Sequence, residues 1–300
     1  MSIITLPPEE WQNQNANCNP LDILKKINDI YKDNDLLFKV IKNDGSIKFL
    51  SKKECLSKAY DLAKNIKILS KKSEQIKLFG ILSASEESVI FMLANLYLGS
   101  HHCICFEELT PSAIASRIDL FKPDYILYRP ISKRKAEESV NLINNSNVEL
   151  VEIDIDSLAY EKKQKVSCEY IRRYAPNDSL FTLFTSGSTG LPKAIVHGVN
   201  NYLEYSHFTS KYFFGLEKGS TIYTATDAGW INGHTYAFYG PLLAGAISII
   251  NECPLAISLP RFLSKYLCEL KVDCFYSSVT LLRIIKSLCK KGQLIKDFYK

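Results

Sequence analysis

Thr185, Ser186, Ser188 and Thr189 bring four hydroxyls, and Gly187 and Gly190 two glycines, into six consecutive residues. Leu191 and Pro192 follow, and then a lysine, Lys193. Glycine lets a backbone turn freely and approach a ligand closely. The N–H groups and hydroxyls of such a turn can donate together to phosphate oxygens, as an anion nest. Lys193 adds a full positive charge behind a proline that stiffens its approach. A Ser/Gly-rich surface linker has a similar composition. The setting favours the phosphate reading, because the run lies between two apolar segments, Leu180 to Thr185 and Ala194 to His197. The spacing is not GxxxxGK[ST], which disfavours an ordinary P-loop nucleotide hydrolase.

Three further stretches carry groups with chemical potential. Thr226-Asp-Ala-Gly-Trp-Ile-Asn-Gly-His-Thr-Tyr236 concentrates polar and aromatic side chains around Gly229 and Gly233. Trp230 taken alone would be a core aromatic. His101-His102-Cys103-Ile104-Cys105 has metal-ligand residue types. Its alternation is that of a buried strand, however, and no second ligand cluster at metal-finger spacing accompanies it, so no metal site is expected there. Lys133-Arg134-Lys135 is a basic run whose simplest reading is an exposed helix start.

The elements that must position these groups follow a strand–helix rhythm. Leu36 to Ile41 and Ile47 to Leu50 flank an Asn-Asp-Gly-Ser turn and read as a hairpin. Ser51 and Glu54 have capping-box spacing, followed by Leu56, Tyr60, Leu62 and Ile66 on one helical face. Strands are expected at Lys77 to Leu82, Cys103 to Phe106, Tyr125 to Tyr128, Val148 to Ile153, Leu180 to Thr185, Ala194 to His197, Thr221 to Thr226, Ile247 to Ile250 and Val272 to Tyr276. Helices fall between them: one opened by Ser85 and carrying Val89 to Leu98, one with Pro111 at its first position, a basic one near Lys133 to Ile143, and others through 202–214, 259–270 and 279–288. Strands alternating with helices of this length argue for an α/β fold of layered, largely parallel sheets. The polar stretch 156–178 reads as a connector and a possible subdomain boundary, and 1–20 as a polar amino-terminal segment.

Composition sets the broad class. The chain has 300 residues, 46% hydrophobic and 23% charged, with room for a large core. The net charge of +5 comes largely from scattered lysines, without a basic stripe interleaved with stacking aromatics, so nucleic acid is not an expected partner. The start has no apolar signal region, no window reaches the roughly 18 apolar residues of a membrane span, and the nine cysteines form no CxxC pair. A cytoplasmic, thiol-reducing setting is the expectation.

Thr185 to Lys193 resembles the phosphate-binding loop of the adenylate-forming superfamily, which includes acyl-CoA synthetases, luciferases and peptide-synthetase adenylation domains. Ala194 stands where that family usually has Gly. Thr226 to Tyr236, with Tyr239-Gly-Pro-Leu242, is similar to the segment that borders the acyl pocket in acetyl/propionyl-CoA synthetases, although Asn232 replaces a small hydroxyl residue. Leu98-Gly-Ser100 through Phe106 with Thr110 to Ile118, and Tyr276 to Arg283 with Val279 in place of a usual Pro, resemble other family segments. The likeness runs from about Phe38 to the end.

The resemblance implies an amino-terminal portion of the large AMP-binding domain, 21–300, without the carboxy-terminal small domain. It implies ATP with Mg2+, coenzyme A and a short carboxylic acid as reactants. A carboxylate attacks the α-phosphate, pyrophosphate leaves, and the coenzyme A thiol then displaces AMP from the acyl-adenylate. On this likeness Thr185, Ser186, Gly187, Ser188, Thr189, Gly190 and Lys193 hold the phosphates, with Lys193 catalytic. Trp230, Ile231 and Asn232 border the carboxylate, and the basic run lies near the coenzyme A phosphates. The family's adenine, ribose and magnesium motifs and its carboxy-terminal lysine are not found. The expectation is therefore a chain with little ligase activity alone, one half of a split enzyme, or a non-catalytic nucleotide-binding module on the same scaffold. Apolar faces left by the missing half imply either association with a partner chain carrying it or poor solubility, and an enzyme loading a carrier protein is disfavoured by the Gly229-Trp230 segment.

Overall fold

A computed structural model describes residues 22–70, 72–143, 148–158, 170–186, 192–252 and 260–288. The amino-terminal segment 1–20 and the middle of the connector lie outside these residues. The first described helix, α1 (Ile23–Ile30), leads into β1 (Leu36–Ile41), which pairs antiparallel with β2 (Ile47–Ser51) across the Asp-Gly turn. Asp44 Oδ1 accepts from the Ser46 amide at 2.8 Å, the local bond that favours Asp in such turns.

Ser51 then starts α2 (Lys52–Leu69), its hydroxyl accepting from the Glu54 amide at 3.2 Å. This is one half of the expected capping box. The Glu54 carboxylate pairs instead with Lys58, at 3.0 Å. β3 (Lys77–Ile81) is followed by α3 (Glu86–Leu98), where Ser85 and Ser88 form a complete box. Every residue of α3 except Glu87 is buried, as expected of a helix that is apolar almost all round.

The chain continues through β4 (His101–Cys105), α4 (Pro111–Phe121), β5 (Tyr125–Tyr128), α5 (Lys133–Asn141), β6 (Glu149–Glu152), β7 (Ser179–Ser186), β8 (Pro192–Gly198) and α6 (Val199–Tyr212). Next come β9 (Thr221–Thr224), α7 (Ile231–His234), a π turn (Thr235–Tyr239) and α8 (Gly240–Ala244). The described chain closes with β10 (Ile247–Asn251), α9 (Pro260–Glu269), β11 (Cys274–Tyr276) and α10 (Val279–Leu288).

Among the described residues the strands form two sheets, ordered β11-β9-β10-β1-β2 and β6-β5-β3-β4-β7-β8. Pairing is parallel except at one edge of each sheet, where β2 and β8 run antiparallel. The parallel interior strands are covered on both faces, and all five residues of β4 are buried. The edge strand β8 is largely exposed. One apolar cluster joins Phe38 and Leu50 of the first sheet to Leu78 and Phe181 of the second, through α2 and α3.

The connector's described carboxy-terminal stretch, 170–178, is irregular but packed. The Tyr174 hydroxyl donates to the carbonyls of Asn95 and Ser100, and the Tyr170 hydroxyl accepts from the Leu24 amide.

Where α3 begins, a buried charge network ties the layers together. The Glu86 carboxylate is 2% exposed and meets Lys48 at 2.8 Å, Lys58 at 3.1 Å and Lys42 at 3.4 Å. Burial pushes this carboxyl up, but the ammoniums of Lys48 and Lys58 outweigh it and the net shift is downward. Its position at a helix start also suits a negative charge.

Candidate functional site

The phosphate-type turn is carried by the β7–β8 hairpin. Thr185 stands opposite Lys193 and Ser186 opposite Pro192 in the ladder, and both Thr185 and Lys193 are exposed. The two strands thus bring the first hydroxyl and the lysine to the same end of the sheet. Gly187, Ser188, Thr189 and Gly190 lie outside the described residues. Ala194 pairs with Phe184 within β8, and among the described residues only Lys122 and Lys271 combine a side chain with positive φ. A glycine is therefore not required there for backbone reasons.

The second stretch begins where β9 ends. Trp230, Ile231 and Asn232 border one cleft of about 400 Å³, together with Thr226 and Asp227, with Tyr276 at the end of β11 and with Ser277 and Ser278 after it. Trp230 is 58% exposed, so the core-aromatic reading fails. Its ring tilts against Phe106 at 5.2 Å, and its amide donates to the Asp227 carbonyl at 3.1 Å. A Cβ on Gly233 would lie 2.1 Å from the same carbonyl, so this turn can close only over a glycine. Ile231 also borders a wider cleft of about 730 Å³, lined in part by Asp178, His197, Tyr202 and Thr235.

Behind the wall lies a buried ring stack. Phe181 of β7 packs 4.3 Å from His234 and 4.6 Å from His197, and His102 stacks on His234 at 5.5 Å. Burial pushes His234 down to about 3 and His102 well below its ordinary value, so both imidazoles are neutral near pH 7.

Asp227 was not singled out by sequence reasoning. Burial pushes its carboxyl up to about 6, while the Gly229 and Ala84 amides pull the other way. The signal available was its place three residues before Trp230 in a Gly-rich turn. Ser277 and Ser278, from the family-like stretch Tyr276 to Arg283, also line the cleft.

The remaining candidates take ordinary structural places. His101 to Cys105 form β4, where His101 Nε2 meets the Thr182 hydroxyl at 2.8 Å and burial pushes the Cys105 thiol up to about 12. Among the described residues no group of three or more His, Cys, Asp or Glu is placed to hold a metal. The basic run opens α5, with Arg134 paired to Glu138 at 3.6 Å and Lys135 bonded to the Glu107 carbonyl. No described helix is long and apolar enough to cross a membrane.

Comparison with known proteins adds three findings. The family described as AMP-binding enzyme matches residues 72–298. An acetyl-coenzyme A synthetase of Psychromonas ingrahamii is 32% identical over 237 residues, covering 71% of this chain and 36% of the relative. Acetyl-coenzyme A synthetase 1 of Candida albicans is 29% identical over 260 residues, covering 78% and 38%. The chain thus spans little more than a third of these relatives. A crystal structure of a Brucella canis acyl-CoA synthetase superposes with a TM-score of 0.76 at 18% identity, over 96% of this chain and 53% of the other, which establishes the likeness of fold.

Proposed function

The chain belongs to the AMP-binding enzyme family, and from that premise we propose that it supplies the phosphate-gripping and acyl-bordering part of an AMP-forming acyl-CoA synthetase for short carboxylic acids. The observation that carries this reading is the hairpin tip, where Thr185 and Lys193 face each other at the two ends of a hydroxyl- and glycine-rich turn. In this reading Ser186, Ser188, Thr189 and Lys193 neutralise the β- and γ-phosphates of ATP and the departing pyrophosphate. Gly187 and Gly190 give backbone access to the same oxygens. Trp230, Ile231 and Asn232 limit the space for the acyl group. Catalysis of this kind is largely positioning and charge neutralisation.

Mg2+ enters as MgATP, a reactant, and coenzyme A as the second acceptor. Because the chain spans about a third of its acetyl-CoA synthetase relatives, the complete reaction is assigned to it together with the remaining part of such an enzyme, in the same or a partner chain. That coverage also favours a second reading, a non-catalytic nucleotide-binding module.

The test is MgATP binding to the purified chain, followed by pyrophosphate release with acetate and propionate. Binding with little turnover, restored when the remaining segment of a relative is added, is the expected outcome. Binding that no added segment converts into turnover selects the second reading. A folded chain with no affinity for ATP or pyrophosphate would sink both.

A further inference from the structure

Asp227 reaches two backbone amides that belong to different parts of the chain. Its Oδ2 accepts from the Ala84 amide at 2.9 Å, in the loop between β3 and α3. Its Oδ1 accepts from the Gly229 amide at 2.9 Å, in the turn that leads to Trp230. The backbone of Asp227 adds a third tie, its carbonyl accepting from the Trp230 amide. The turn has little room to shift inward, since a Cβ on Gly229 would lie 2.7 Å from the Phe106 ring. Trp230 rests on that same ring.

We propose that Asp227 is a positioning residue for the acyl cleft: by gripping the Ala84 and Gly229 amides at once, its carboxylate pins the Trp230–Asn232 wall to the start of α3 and sets the width of the space that receives the carboxylic acid. The width assignment rests on reading the cleft as the acyl site, whereas the pinning does not.

Only an ionised carboxylate offers acceptor lone pairs on both oxygens without a competing proton. Protonation, or replacement by an amide, turns one oxygen position into a donor that faces another donor. The groups around the carboxylate make protonation accessible. Glu107 and Glu108 after β4 repel its charge, Cys105 ends β4, and His234 on α7 is neutral. Burial, helped by the charges of Glu108 and Glu107, carries the Asp227 carboxyl to about 6. The wall is therefore held firmly above that value and loosens below it.

The test uses the full chain. Its two tryptophans are Trp11 and Trp230, so Trp11→Phe leaves Trp230 as the sole reporter. Emission and acrylamide quenching of Trp230 are followed from pH 8 to pH 5, with and without Asp227→Asn. In the parent, quenching rises on acidification, with a midpoint near pH 6. In Asp227→Asn the raised value is present at pH 8 and the transition is gone. Parent-like quenching and a parent-like transition in a folded Asp227→Asn chain overturn the proposal.

If Asp227→Asn does not fold, Glu108→Gln decides. Removing a charge that raises the Asp227 carboxyl moves the parent midpoint down. A flat parent curve, or a midpoint indifferent to Glu108→Gln, overturns the proposal. Propionate binding in the presence of MgATP is measured in parallel. Trp230 differences without propionate binding in any form uphold the pinning by Asp227 and sink the acyl reading of the cleft.

Discussion

The Phe181 ring, on the strand that leads into the hydroxyl-glycine turn, lies 4.3 Å from the His234 imidazole and within 30° of parallel to it. Through this contact the strand before the turn and the helix behind Trp230 share one packed interface. Phe181 is fully buried, and Phe181→Ala leaves a cavity at that junction. A loss of about 3–5 kcal/mol is expected, read from urea denaturation midpoints at constant m-value. A loss below about 1 kcal/mol would mean that the stack is not a structural element.

Acid should weaken the fold in a defined window. Burial depresses His101 and His207 to about 4 and His234 to about 3. The folded state keeps these rings neutral, while the unfolded chain takes up protons below its ordinary value of about 6.5. Stability is therefore intact above that value and declines as pH falls towards the depressed values. For His234 alone the decline from pH 7 to pH 5 is about 2 kcal/mol. Asp227 works in the opposite sense over the same interval, because its raised carboxyl favours proton uptake by the folded state. Urea midpoints at pH 7, 6 and 5 check the balance. His234→Phe should flatten the profile, and an unchanged profile would contradict the assignment.

Glu86 receives three ammonium groups while buried. Glu86→Gln keeps the shape but removes the charge, leaving Lys58, only 8% exposed, with Glu54 as its one paired carboxylate. A cost of about 1–3 kcal/mol is expected, since the buried lysines lose a charged acceptor while Glu54 and Glu252 still partner them. Thermal or urea unfolding measures it, and a neutral result would show that water reaches these lysines freely.

Lys193 offers the contrasting case. It is exposed at the hairpin tip, so Lys193→Ala should change stability by no more than about 0.5 kcal/mol. MgATP affinity should nevertheless fall about 10- to 100-fold, the worth of one charged contact. Calorimetric titration and a melt of the same sample separate the two effects. Equal affinity in both proteins would remove Lys193 from the phosphate site.

Much of the fold was legible because its signals are local. The Asp-Gly turn announced the β1–β2 hairpin, Thr110-Pro111 announced α4, and short apolar runs such as Lys77 to Leu82 announced buried parallel strands. Sheet order was not legible. The neighbours β1 and β10, or β4 and β7, are far apart in the chain, and no local pattern encodes that pairing. Ser51 and Glu54 show the limit of motif spacing, since a nearby lysine outcompetes the helix start for the carboxylate.

The site shows the same division. The turn chemistry and the cleft segment could be picked out by residue type. The exposure of Trp230, the double grip of Asp227 and the π turn over 235–239 follow from close packing across the two sheets. None of these has a signature in spacing alone.

The antiparallel ladder of β7 and β8 also limits where the chain can tolerate insertions. Strand side chains alternate faces every residue. One extra residue between Lys193 and Gly198, with the rest of the pairing held, would rotate the ammonium to the reverse side of the hairpin. Extra length between Ser186 and Pro192 would leave that orientation untouched. An insertion in the strand would therefore misdirect Lys193, and one in the turn would separate the residues proposed to grip the phosphates, so engineered linkers belong in neither.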